Sequence, residues 1–124
     1  MTRNRKSAKQ AGARFEQVVA DYLQDALDDD RIERRVMGGV NDRGDISNVR
    51  FLGHRVVVEV KDYGGVLHAA EWVSEAQVEA GNDDAPVGVV VAKRRGTTNP
   101  ADQYVLMTLR DLAWFLTGGQ TDDD

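Results

Sequence analysis

The sequence predicts an α/β fold in which a mixed central β-sheet is flanked by helices, in the order α-β-β-β-α-β-β-α. Three observations lead there. Apolar residues over 8–27 recur with helical period, two strand-like runs fold about Gly53, and residues 86–92 ("PVGVVVA") are apolar without interruption. Strands that run together and then alternate with a helix imply a mixed sheet rather than separate α and β domains.

Each element follows from its own stretch. Ala11, Phe15, Val18, Val19, Tyr22, Leu23 and Ala26 recur at three- and four-residue steps, and Asp28, Asp29 and Asp30 end that helix. "RIERRVM" (31–37) reads as a short strand with Ile32 and Val36 inward. "GGVNDRG" (38–44) reads as a loop by its glycines and Asn-Asp. The hairpin about Gly53 follows, and "YGGV" (63–66) breaks the chain. Residues 67–80 form a second helix whose stripe, Ala69, Val73, Ala76 and Ala80, is small enough to let it approach a sheet closely. Residues 86–92 suit a strand covered on both faces. After the loop "KRRGTTNP" comes a last strand, "QYVLMT" (103–108). Thr108 with Asp111 forms a capping pair opening the helix "LRDLAWFLT", which Gly118 and Gly119 stop.

At 124 residues the chain has the length of one domain, here residues 10–119 between a basic arm (1–9) and an acidic tail (120–124). Cysteine is absent, which excludes disulfides and thiolate zinc sites, and two histidines are too few for a His-rich metal site. No run approaches the ~18 apolar residues that span a bilayer, and no apolar stretch follows the first basic residues, so a cytoplasmic protein is expected. The net charge of −5 argues against a generally basic nucleic-acid binder. The charge is unevenly placed, however. Arg3, Arg5, Lys6, Lys9 and Arg14 stand among the first fourteen residues without an acid, while acids collect in 25–30, 81–85 and 121–124. Screening confines such fields to about 8–10 Å, so this arm either grips a polyanion locally or is simply solvated.

The hairpin carries charge where a half-buried strand pair usually does not. Side chains alternate faces along a strand, so Glu59 and Lys61 point one way and Val56, Val58 and Val60 the other. Symmetry about Gly53 would set Asp45 opposite Lys61 and Ser47 opposite Glu59, bringing Asp45 and Glu59 together with Lys61 beside them. Carboxylates held that close repel unless a cation lies between them. Mg²⁺ is the economical one, a hard ion that takes oxygen ligands and keeps several waters. It polarises a phosphoryl oxygen and acidifies a bound water, while a neighbouring ammonium orients that water or neutralises a phosphate. Phosphodiester hydrolysis is the chemistry that uses such a set. A cross-strand salt bridge on a solvated face, at about 0–1 kcal/mol, accounts for the same charges.

Gly44-Asp45, a gap of thirteen residues and then Glu59-Val60-Lys61 follow the opening "AGARFEQVVADYL", with its Gly-x-x-x-Glu from Gly12 to Glu16. Together, over about residues 10–92, they resemble the PD-(D/E)XK nuclease superfamily, and within it the archaeal-type Holliday junction resolvases. The resemblance implies a restriction-endonuclease-like core, α-β-β-β-α-β. It implies a structure-specific DNA endonuclease that needs Mg²⁺, with Mn²⁺ able to substitute, acting on four-way or other branched DNA in recombination and repair. Asp45 and Glu59 would hold the metal with the Val60 backbone carbonyl, and Lys61 would position or activate the water. Glu16, at the edge of its helix's apolar face, would hold metal or water from the helix side. Ser47 would match a serine that some members place at the site. One departure is Gly44, where a proline often precedes the motif aspartate.

Gln77, on the flank of the second helix's stripe, is a possible accessory residue. Lys93, Arg94 and Arg95 join the basic arm as candidates for phosphate contact, each of which would steepen the salt dependence of binding. Recognition by DNA shape is expected rather than base readout. Trp72, Trp114 and Phe115 are expected in a core or interface. Symmetric cutting of a four-way junction needs two sites, so the resemblance also implies a homodimer, with "LAWFL" as a place for its interface. The alternatives are a nuclease of this superfamily acting on other DNA, or a non-catalytic DNA-binding module of the same fold.

Overall fold

Asn4 opens the first helix by accepting the Ser7 amide at 2.8 Å, which satisfies a donor that the first turn leaves free. In the computed structural model, which describes residues 4–36 and 43–120, this helix, α1, runs Arg5–Ala26. It therefore starts inside the expected arm. Ala11, Phe15, Val19 and Ala20 are its buried residues, and Val18 and Tyr22 of the predicted stripe lie more outward.

The strands are β1 (Glu33–Arg34), β2 (Ile46–Ser47), β3 (Arg50–Phe51), β4 (His54–Lys61), β5 (Val87–Ala92) and β6 (Tyr104–Leu106). The remaining helices are α2 (Ala69–Asn82) and α3 (Leu109–Leu116), and a 3₁₀ turn at Pro100–Asp102 precedes β6. The result is an α/β arrangement with a mixed sheet of six strands flanked by three helices, one strand more than predicted because the first arm of the hairpin is split into β2 and β3. The order is β1-β2-β4-β5-β6, with β3 also on β4; β4 and β5 are parallel, and every other pair is antiparallel. The parallel pair follows from the connection, since α2 carries the chain back over the sheet between β4 and β5. Ile32 is buried as expected, but Val36 is 73% exposed because β1 ends at Arg34. No helix among the described residues is long and apolar enough to cross a membrane.

The hairpin departs from its expected register. Phe51 pairs with His54 around the two residues Leu52 and Gly53, both at positive φ (50° and 84°), the signature of a type I′ turn. The axis therefore falls between those residues, not on Gly53. Arg50 pairs with Arg55, yet Ile46 pairs with Val58, so four steps on one arm match three on the other. The extra residue is a bulge at Asn48, whose φ of 66° suits an asparagine and whose amide donates to the Arg31 carbonyl at 2.8 Å. As a result Asp45, just before β2, is not seated opposite Lys61: its amide donates to the Val58 carbonyl and its carboxylate accepts the Val60 amide. Ser47 faces Glu33 of β1.

Both faces of β4 are covered, and they differ. Val56, Val58 and Val60 pack with Phe15, Val19, Ile46 and Trp114 beneath α1 and α3. On the other face Trp72 and Ala76 of α2 pack on Val90 and Ala92. Trp72 and Trp114 are core residues, 2% and 6% exposed. The α2 stripe is Trp72, Ala76, Glu79 and Ala80, so Ala69 and Val73 of the predicted stripe give way to Trp72. Close approach does occur, at Gly88, where a Cβ would run into the Ala76 carbonyl. Thr108 caps α3 by accepting the Asp111 amide at 3.1 Å, as the sequence predicts.

Candidate functional site

The end of β4 carries the charged residues that its middle cannot. Val56 to Val60 are all buried, and Glu59, at 4% exposure, is a carboxylate inside the α2-facing side of the sheet. Opposite it the chain enters β2 through Gly44, at φ 96°, with space for a Cβ closed off by Val57 Cγ1 at 3.0 Å and the Val58 carbonyl at 3.1 Å. Proline, fixed near −65°, cannot adopt that backbone, which explains the glycine before the aspartate in this chain.

Asp45 is fastened on three sides. Its amide donates to the Val58 carbonyl at 2.9 Å, its carbonyl accepts the Arg35 amide at 2.7 Å, and its Oδ2 accepts the Val60 amide at 2.8 Å. The last bond ties the Asp45 carboxylate to the peptide that joins Glu59 to Val60. A strand residue presents its N–H and C=O to the same neighbour, so the Val60 carbonyl lies on the β2 side with Asp45. The two acids and this carbonyl thus gather at one end of adjacent strands.

Lys61 completes the cluster. Its Nζ lies 2.8 Å from Glu75 Oε2 on α2 and 3.8 Å from Glu59 Oε2. Burial pulls the ammonium's pKa down, but the Glu75 hydrogen bond and the charges of Glu59 and Glu75 outweigh it and leave the pKa raised. Glu75 was not among the sequence-derived candidates. Only its place one helical turn after Glu71 hinted at a charged edge, and the contact with Lys61 spans fourteen residues.

The other candidates are placed elsewhere. Glu16 lies on α1, over the opposite face, with Oε2 2.7 Å from Arg34 Nε of β1. Ser47 Oγ donates to the Glu33 carbonyl at 3.2 Å. Gln77 donates to Asp111 at 2.8 Å, beside the Gly88 amide near the start of β5, whereas Lys61 pairs with Ala92 at the far end of that strand. Among the described residues no three His, Cys, Asp or Glu side chains converge as a metal cage. The oxygen groups at this end of β4 are two carboxylates, Asp45 and Glu59, and the Val60 carbonyl. That set matches in kind what Mg²⁺ takes.

An open cleft of about 700 Å³ leads to this end of β4, between Ala8, Lys9 and Gly12 of α1 and Val60, Lys61 and Tyr63. Arg5, Lys6, Lys9 and Arg14 are all exposed on α1, and Arg3 lies outside the described residues. Across the cleft's far wall, Gly65 packs against the Arg95 backbone, joining the loop after β4 to the loop after β5. Lys93 turns into its own loop, donating to the Arg94 and Thr97 carbonyls at 2.6 Å each. Arg94 stacks over Tyr104 at 5.3 Å, and Arg95 is exposed. Tyr63, His68 and Trp72 form an aromatic group beside Lys61, with ring centroids 5.1 to 5.8 Å apart. No family model matches the chain, and no curated protein or solved structure matches it.

Proposed function

We propose that the chain is a Mg²⁺-dependent endonuclease that hydrolyses phosphodiester bonds in DNA, with four-way or other branched junctions as substrates. The observation that carries this reading is the Asp45 carboxylate bonded to the peptide between Glu59 and Val60, with the Lys61 amine at the same strand end. The order α-β-β-β-β-α-β, with β2 and β3 taken as one hairpin arm interrupted at Asn48, and the mixed sheet support a restriction-endonuclease-like core.

Asp45, Glu59 and the Val60 carbonyl would hold the ion, which when bound polarises a phosphoryl oxygen and lowers the pKa of a coordinated water. Lys61 hydrogen-bonds and orients the attacking water, and Glu75 fixes the direction of its amine. Glu16, over the opposite face, would take part from the helix side only on releasing Arg34. The exposed cations of α1 and Arg95 line the approach for the DNA backbone. A homodimer supplies the second cut that a four-way junction requires, and α3 supports it by exposing Leu109, Leu112 and Leu116.

The closed ion pairs of Lys61 with Glu75 and Glu16 with Arg34 favour a second reading, a non-catalytic DNA-binding module of the same fold. A panel of labelled DNAs, including a synthetic four-way junction, nicked, flapped and plain duplexes, with Mg²⁺ or Mn²⁺ present, separates the two. Cleavage is expected on the junction, and Asp45→Asn should lower its rate at least about 100-fold. Equal cutting by wild type and Asp45→Asn would remove the site. Binding without cleavage under both metals would leave the module, and cutting of another structure in the panel would reassign the substrate.

A further inference from the structure

We infer that an arginine-lined cleft at the β1–β2 edge is a second contact surface for the phosphate backbone of nucleic acid. The cleft encloses about 580 Å³ and is lined by Arg34, Arg35, Arg43, Arg50 and Arg55, with Asp83. Among the described residues Glu33 adds the only other carboxylate to its lining. Five arginines against two acids among those residues is a local excess in a chain whose net charge is −5.

These arginines are placed at a cost that the protein only partly offsets. Arg50 and Arg55 are direct cross-strand partners, and like charges in that position repel. Asp83, at the end of α2, takes Arg55 at 3.0 Å and stands 3.9 Å from Arg43, while Glu16 takes Arg34. Among the described residues Arg35 and Arg50 have no carboxylate within ion-pair distance. A guanidinium without a carboxylate partner keeps its planar fork for the oxygens of a phosphate.

The extent of the cleft points to a chain of phosphates. Arginines on β1, β3 and β4 are spread across neighbouring strands about 5 Å apart, so the cationic surface spans roughly 10 Å, more than one phosphate covers. Among the described residues no aromatic side chain lines it, so these offer no stacking platform for bases, and the contact is with the backbone. Arg55 and Glu59 share a face of β4 and stand four residues, about 13 Å, apart. The inference rests on the reading of the substrate as DNA but uses none of the residues assigned to hydrolysis.

The test is fluorescence anisotropy of the full chain on a fluorescein-labelled duplex, in EDTA, over a NaCl series. Wild type should bind, and Arg50→Ala should weaken binding several-fold and reduce the slope of log K against log salt by about 1. Arg35→Lys, which keeps the charge but not the fork, should weaken binding with its melting temperature kept. Wild-type affinity and slope in both variants, or no DNA binding by wild type, would overturn the inference. So would displacement of the DNA by inorganic phosphate beyond that by chloride of equal ionic strength, which would assign the cleft to a free anion. Mn²⁺ binding that depends on Asp45, measured separately, reports on the hydrolytic site. Mn²⁺ bound with the slopes unchanged removes the cleft alone, and slopes changed without bound Mn²⁺ removes the hydrolytic site alone.

Discussion

Lys61 shows how one side chain's chemistry is set by three elements. β4 buries its stem, Glu59 two residues back adds a charge, and Glu75 arrives from α2 to accept its hydrogen bond at 2.8 Å. Since burial alone would lower its pKa, Glu75→Gln in the metal-free protein should bring the Lys61 pKa down from its raised wild-type position. NMR of the lysine side-chain carbon across an alkaline titration measures this. An unmoved titration would show that Glu75 does not hold the amine. The sign of the linked stability follows from the raised pKa. The pair's contribution is fully present below the unfolded value of 10.5 and is lost as pH rises through the folded value. For so accessible a pair it amounts to about 1 kcal/mol or less. The same acid is expected to help aim the amine at the water, so the variant's cleavage would fall while its fold persists.

At the scale of elements, α2 and β5 depend on contact too close for any side chain. Ala76 and Ala80 press their backbone turn onto Gly88, so Gly88→Ala must push the helix off the strand. Overpacking of this kind costs about 1–3 kcal/mol, which urea unfolding would register as a lower midpoint at unchanged slope. A wild-type midpoint would mean the helix yields freely. This contact was legible in the sequence, which put small residues on α2 and a glycine in an apolar strand. So were the existence and type of nearly every element, because each rests on a local period or cap: the apolar steps of α1, the unbroken run of β5, Thr108 before Asp111. What stayed hidden was what one segment owes another. Leu52 at positive φ gave no warning of a type I′ turn, and Asn48 gave none of a bulge. Trp72 joined the α2 stripe because it stands one turn before Ala76 and two before Ala80, on the face that packs on β5. Of the site, Asp45, Glu59 and Lys61 could be read from spacing. Glu75 and Arg34 could not, since their partners lie fourteen and eighteen residues away and only the fold brings them near.

For the molecule as a whole, charge and apolar surface are carried by different elements. Exposed cations lie on the first turns of α1 and in the cleft at the β1–β2 edge, while α3, packed on Phe51 and His54 through Trp114, exposes Leu109 and Leu116 at 80% and 78%, and β6 at the far edge exposes Val105 at 52%. Leu109, Leu112 and Leu116 fall on one helical face, so a two-fold contact through α3 would bury them together and leave both cationic sides free. Light scattering should then find a dimer, and Leu112→Glu with Leu116→Glu should give a monomer. As exposed positions they should shift the monomer's own stability by no more than about 0.5 kcal/mol each. A wild type that scatters as a monomer would remove the dimer from the proposal.

Asn48 has a consequence that reaches beyond its own loop. Counted straight back from the Leu52–Gly53 turn, a regular ladder would seat Asp45 across from Val60, among the valines that α1 and α3 cover, and turn Ile46 out of the core. One surplus residue restores the parity and returns Ile46 to the oily side. Which face the isoleucine of β2 takes is thus settled by whether an odd or an even number of residues separates it from the bend.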